Sequence, residues 1–192
     1  MRGRQAKTLS EADIRRLLKV AKHSLHPDRN IVIVLLSVRA GLRAGEIARL
    51  DWSMVCDGRG VIGRLIVLPG SIVKYGLGRR VPLHSELKRA LVALMRSRGG
   101  KAGPVVVSQR GEAISPGGVV NWFTQACRLA GLEGCSSHSG RRTFVTRAAR
   151  LVHRAGGSLR DVQQLVGHRS IQTTQGYIDG DHEAQRRLVR MM

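Results

Sequence analysis

Hydrophobic positions recur at helical spacing through most of the chain. In "TLSEADIRRLLKVAK", Ser10 stands as an N-cap with Asp13 three residues on, and Ile14, Leu17, Leu18 and Ala21 fall on one face. Residues 29–40 are apolar nearly all round, which predicts a central helix; Gly41 breaks it, and a short helix follows through Glu46, Ile47 and Leu50. Between 61 and 83 the texture changes. "RLIVL", "SIVKY" and "RRVPL" are β-type runs separated by Pro69-Gly70 and Gly76-Leu77-Gly78, and they predict a small three-stranded antiparallel sheet with Pro82 on an edge. Leu87, Leu91 and Leu94 place a helix over 85–97, and Pro116 suits the first turn of one running to Ala130. Helices are expected near 140–154, 158–166 and 171–178, with a last one from about 181. The expected fold class is mainly α with a small three-stranded antiparallel β-sheet. With no repeat or Pro-rich linker in 192 residues, one domain is expected.

Composition narrows the partners. Apolar residues make up 42% of the chain, which argues against disorder, and aromatics only 3%, so the core must be aliphatic. Thirty-three Lys and Arg against thirteen Asp and Glu leave a net charge of +20, a self-repulsion that an anionic partner would relieve. Nucleic acid is the first expectation; an anionic membrane surface is the rival. The longest apolar run, "IVIVLLSV" at 31–38, is too short to span a bilayer, and no apolar stretch stands in signal-peptide position. Cys56, Cys127 and Cys135 are odd in number and form no Cys-x-x-Cys, so neither a disulfide framework nor a zinc ribbon is implied and a cytoplasmic setting is expected.

Several segments could carry chemistry, each with a plainer reading beside it. Arg43 in "GLRAGEIARL" suits an ion pair as well as a functional role, and Glu46 suits a cap or structural partner better than a catalyst. In "SSHSGRRTF", His138 and Arg141 would share a helical face, as an oxyanion clamp or as surface residues. Lys74 should lie near a hairpin tip, either as a proton donor or as an ordinary turn lysine; Tyr75 beside it reads as a strand residue. "LVGHRSIQTTQGY" holds His168 and, nine residues on, Tyr177, a packing ring or a nucleophile. Attack by a phenol on phosphorus needs its proton removed, a clamp on the non-bridging oxygens and an acid for the leaving alkoxide. No metal is expected: the acidic residues are scattered, Asp181 within Asp179, Asp181 and Glu183 reads as a helix cap, and His23 and His26 before Pro27 read as a helix end.

In order and spacing these segments resemble the tyrosine recombinase (phage integrase) family. Gly41-Leu42-Arg43 with Glu46, Ile47 and Leu50 matches its first box, and Lys74 stands nine residues before Leu83 of "VPL", as the family's hairpin lysine does. His138, Arg141, Arg142 and Thr143 match the second box, and "VGHRSIQTTQGY" nearly reproduces the third. The resemblance covers residues 8 to 180 and implies the catalytic-domain fold of DNA breaking-rejoining enzymes, with a basic arm over 1–8, the catalytic domain over 9–180 and a tail over 181–192 that could dock on a neighbouring protomer. It implies Tyr177 as nucleophile, Arg43, Arg141 and His168 as stabilisers of the phosphorane charge, Lys74 as acid and His138 as proton-transfer aid, without cofactor, metal or ATP. The implied partners are double-stranded DNA, other copies of the chain in a tetrameric synapse, and an accessory or directionality protein, in a nucleoid-associated setting. Two departures stand out. Gly140 replaces a leucine, at a helix cost of about 1 kcal/mol relative to Ala, and only about eight residues precede the catalytic segment, as in fimbrial-type invertases. A non-catalytic accessory homologue that modulates a full-length partner is the alternative reading, and a topoisomerase of the same chemistry is a third.

Overall fold

A computed structural model describes residues 6–100, 102–177, 186 and 189–192. The helices begin where the sequence supplies caps. In α1 (Glu11–Lys22), Ser10 Oγ accepts from the Asp13 amide at 3.1 Å while Asp13 Oδ2 accepts from the Ser10 amide at 2.9 Å. Pro27 opens α2 (Pro27–Ala40), whose run from Val32 to Val38 is wholly buried; the helix ends at Gly41 in the left-handed conformation, φ 64°. The remaining helices are α3 (Ala44–Ala48), α4 (Ser85–Arg98), α5 (Pro116–Leu129), α6 (Ser137–Leu151), α7 (Leu159–Val166) and α8 (Ile171–Gln175). The last expected helix, from about 181, falls largely outside the described residues.

Among the described residues the sheet has two strands rather than the expected three. Strands β1 (Leu65–Leu68) and β2 (Arg79–Pro82) pair antiparallel, with Leu65 opposite Pro82 and Leu68 opposite Arg79. Ile66, Leu68 and Val81 face inward, while Leu65 and Val67 stay exposed. The intervening "SIVKY" run makes turn bonds instead of a ladder: the Ile72 amide donates to Pro69 O, the Val73 amide to Gly70 O and the Gly76 amide to Val73 O. The loop folds back so tightly that a Cβ at Gly70 would lie 2.3 Å from Gly76 O. Tyr75 is accordingly not a strand residue; it takes φ 75° at the loop and is exposed.

Among the described residues two hydrophobic clusters result. The larger gathers α1–α5 and the sheet around α2, with Trp52 and Phe123 among its fully buried side chains. The smaller is built from Val145, Ala149, Val152, Val162 and Val166, with Phe144, Leu159 and Tyr177 packed on it. Gly140 joins α6 to α2, for a Cβ there would lie 2.2 Å from Ser37 Oγ and 2.9 Å from Ser37 Cβ. The missing side chain therefore does not loosen the helix; it permits a close helix–helix approach that any larger residue would block. The chain before α1 is tied to the same helix, the Leu9 amide donating to Thr143 Oγ1 at 2.7 Å.

Candidate active site

The site is organised around one buried carboxylate. Glu46 is 2% exposed and accepts from the Arg43 amide (2.9 Å), Arg43 Nη1 (3.0 Å), and Arg79 Nη1 and Nη2 (2.9 and 2.8 Å). Arg43 is the N-cap residue of α3 and Glu46 its N3 residue, so the backbone bond closes the helix start while the side-chain bond steadies the guanidinium. Burial pushes the Glu46 carboxyl up, but Arg79 and then Arg43 outweigh it and hold the group at about 2. Glu46 is thus the structural partner and cap expected of it. Arg79, on β2, was not among the expected site residues. Its signal was available: it shares a strand face with buried Val81, and an arginine on an inward face needs a buried partner.

Arg141 lies in the second turn of α6 and is 5% exposed. Its Nη1 donates to Gly41 O at 2.5 Å and its Nη2 to Val166 O at 2.8 Å. Both acceptors are at helix C-terminal ends, where free carbonyls concentrate partial negative charge. One guanidinium therefore ties α2, α6 and α7 together. Burial and the neighbouring Arg43 lower its pKa to about 10, which still leaves it charged at neutral pH.

His168 follows Gly167, which takes φ 64° and passes so close to Arg79 that a Cβ would lie 3.1 Å from its Cδ. The His168 ring is 8% exposed, with Nδ1 3.0 Å from Thr174 Oγ1; its carbonyl accepts from Gln163 Nε2 at 3.1 Å. Burial, then the charges of Arg141, Arg43 and Arg79, pull it down to about 4, so the imidazole is neutral at pH 7. The Tyr177 ring stacks on His168 with centroids 5.6 Å apart and planes 20° off parallel, and the Arg142 guanidinium lies 5.4 Å from its centre. His138, in the first turn of α6, and Lys74, in the hairpin loop, are both exposed; Lys74 Nζ lies 5.0 Å from the Tyr75 ring centre.

These side chains converge. Arg43, Lys74, His138, Arg141, His168 and Tyr177 all line one open cavity of about 530 Å³, with Arg142, Arg169 and Ala6 beside them. A cationic, partly enclosed hollow is suited to an anionic tetrahedral centre; two phenols line it, Tyr75 beside Lys74 in the hairpin loop and Tyr177, which alone stacks on the buried His168. Among the described residues no three His, Cys, Asp or Glu side chains gather as a metal site would need.

The model of the family described as the phage integrase family matches residues 7–184. The chain belongs to that family. It is 34% identical to a tyrosine recombinase XerC from Rhodospirillum centenum over 81% of this chain and 43% of the relative. With a tyrosine recombinase XerA from Thermococcus kodakarensis it shares 31% over 89% of this chain and 57% of the relative. It thus spans about half the length of the curated relatives it matches. The crystal structure of a XerA recombinase superposes with a TM-score of 0.75 at 26% identity, covering 98% of this chain and 65% of that one. A lambda integrase dimer bound to a COC′ core site shares the fold, with a TM-score of 0.71 at 24% identity over 93% of this chain and 49% of that one. The mainly helical recombinase catalytic-domain fold is therefore present, and no helix among the described residues is long and apolar enough to cross a membrane.

Proposed function

We propose that the chain is the catalytic part of a site-specific tyrosine recombinase that cuts and rejoins double-stranded DNA. Tyr177 Oη attacks the scissile phosphorus, forming a 3′-phosphotyrosyl bond as the bond from phosphorus to O5′ breaks. Arg43, Arg141 and the Nε2 side of His168 hold the non-bridging oxygens. Lys74 gives its proton to the departing 5′ oxygen, and His138 assists removal of the phenol proton. Rejoining is the reverse, with the 5′-hydroxyl of another strand as nucleophile. Several copies acting on DNA, and a tail over 181–192 that docks on a neighbour through Leu188, Val189 and Met192, belong to this reading; Leu188 lies outside the described residues, and Val189 and Met192 are 70% and 99% exposed.

The observation that carries the reading is the convergence of all six side chains on one cavity, one of them, Arg141, already fixed by two carbonyls. The test is a library of randomised duplexes nicked at a fixed position, with adducts trapped by denaturation. Wild type should yield a covalent protein–DNA species that Tyr177→Phe abolishes while still binding. Binding without any adduct would favour the accessory role, and adducts lacking any sequence preference would favour a topoisomerase.

A further inference from the structure

Thr174 is fully buried, and the one hydrogen bond of its hydroxyl among the described residues is with His168 Nδ1, at 3.0 Å. The same residue's carbonyl accepts the Tyr177 amide at 3.1 Å, so one threonine touches both the imidazole and the chain carrying the phenol. A neutral imidazole has a single N–H, and the nitrogen that bears it decides whether the opposite edge donates or accepts. Were Thr174 the acceptor, the only N–H would be spent inward, and Nε2 would turn a lone pair toward an electron-rich phosphate oxygen. We propose that Thr174 is a positioning residue: its hydroxyl donates to His168 Nδ1 and so places the ring's proton on Nε2, on the edge facing the cavity. A hydroxyl suits this task better than a carboxylate. A carboxylate would hold the ring cationic, whereas a hydroxyl sets the tautomer without adding charge among Arg43, Arg79 and Arg141. Nothing in the Gly-His turn alone orients the ring, since Gln163 holds only its backbone.

The inference rests on the cavity being a phosphodiester-cleaving site, but its first test does not. In the DNA-free full chain labelled with ¹⁵N-histidine at pH 7, long-range ¹⁵N–¹H correlation spectra report the tautomer, with His168 assigned through His168→Gln. Wild type and Thr174→Ser should show the proton on Nε2, and Thr174→Val should lose that preference. In single-turnover adduct formation on a nicked duplex recovered from the library, Thr174→Val should be slower by about 10–100-fold. Thr174→Ser should stay near wild type, and DNA retention should be unchanged in both. A proton on Nδ1 in the wild type, or a Thr174→Val variant that keeps both tautomer and rate, overturns the proposal. If the wild type forms no adduct at all, the recombinase reading fails, and the spectra still decide the role of Thr174.

Discussion

Arg141 and Tyr177 line the same cavity but stand on different foundations. Arg141 is clamped between the carbonyls of two helix ends, Gly41 between Ala40 and Leu42 of the large core and Val166 of the smaller cluster, so it bridges the two. Tyr177 follows the five-residue helix α8 and rests on a cluster of five buried Val and Ala side chains. A buried guanidinium must have its hydrogen bonds supplied before any substrate arrives, because leaving them unmade is expensive. A phenol at the rim has no such requirement. The Arg141 guanidinium is therefore fixed before any anion arrives, while Tyr177, the proposed nucleophile, rests on the smaller cluster alone, where the small buried area favours local opening.

The strongest way to break this contrast is to attack the carboxylate beneath the clamp. Glu46→Gln leaves Arg79 buried without its charge partner and should lower unfolding free energy by about 3–5 kcal/mol, read from denaturant melts. Arg141→Lys removes the fork that spans both carbonyls; with folding largely retained, adduct formation on a nicked site should fall by roughly 10²–10³-fold. The thin support is probed by Val162→Ala. A loss of roughly 1–3 kcal/mol is expected, appearing in hydrogen exchange as faster opening across 159–177 while the amides of α2 keep their protection. Equal acceleration in both regions would show that the two clusters unfold as one and would erase the distinction.

The smallest effect is the acid response. His168 titrates at about 4 in the folded chain against 6.5 when unfolded, so the unfolded chain binds its proton first. Its contribution is complete above pH 6.5 and is lost as pH falls toward 4. Glu46 follows the same sign at lower pH, its contribution being lost as pH falls from 4.5 toward about 2. Moving from pH 7 to 6 should cost under about 1 kcal/mol, and His168→Gln should flatten that step in melts at matched ionic strength.

Helix starts and stops were legible because they are local. Ser10 with Asp13, Gly41 and Pro116 act within one turn of where they stand in the chain, whereas Pro27, read as following a helix end, opens α2 with His26 as its N-cap. The third strand was not legible, since "SIVKY" has β-type residues but lies between Gly70 and Gly78, whose bare backbones let the loop close on itself. Gly140 looked like a defect because its reason, Ser37, is more than one hundred residues away in sequence. Arg79 carried a signal on its strand, but its partner Glu46 neighbours it only in space; Thr174 stands six residues after His168, and only the folded chain shows that its hydroxyl meets the ring.

By itself, then, the order of residues determined most of the helices, the cationic character and the six side chains that line one cavity, because spacing and residue type carry that information. Only the tertiary structure decided which groups are charged and which way they face. Against the cost of burial, the guanidiniums of Arg79 and Arg43 keep the Glu46 carboxylate ionised, burial of His168 among cations keeps an imidazole neutral, and two distant helix ends aim Arg141. Protonation and orientation depend on desolvation and on charges brought close by folding, and neither is a property of a residue in its own stretch of chain.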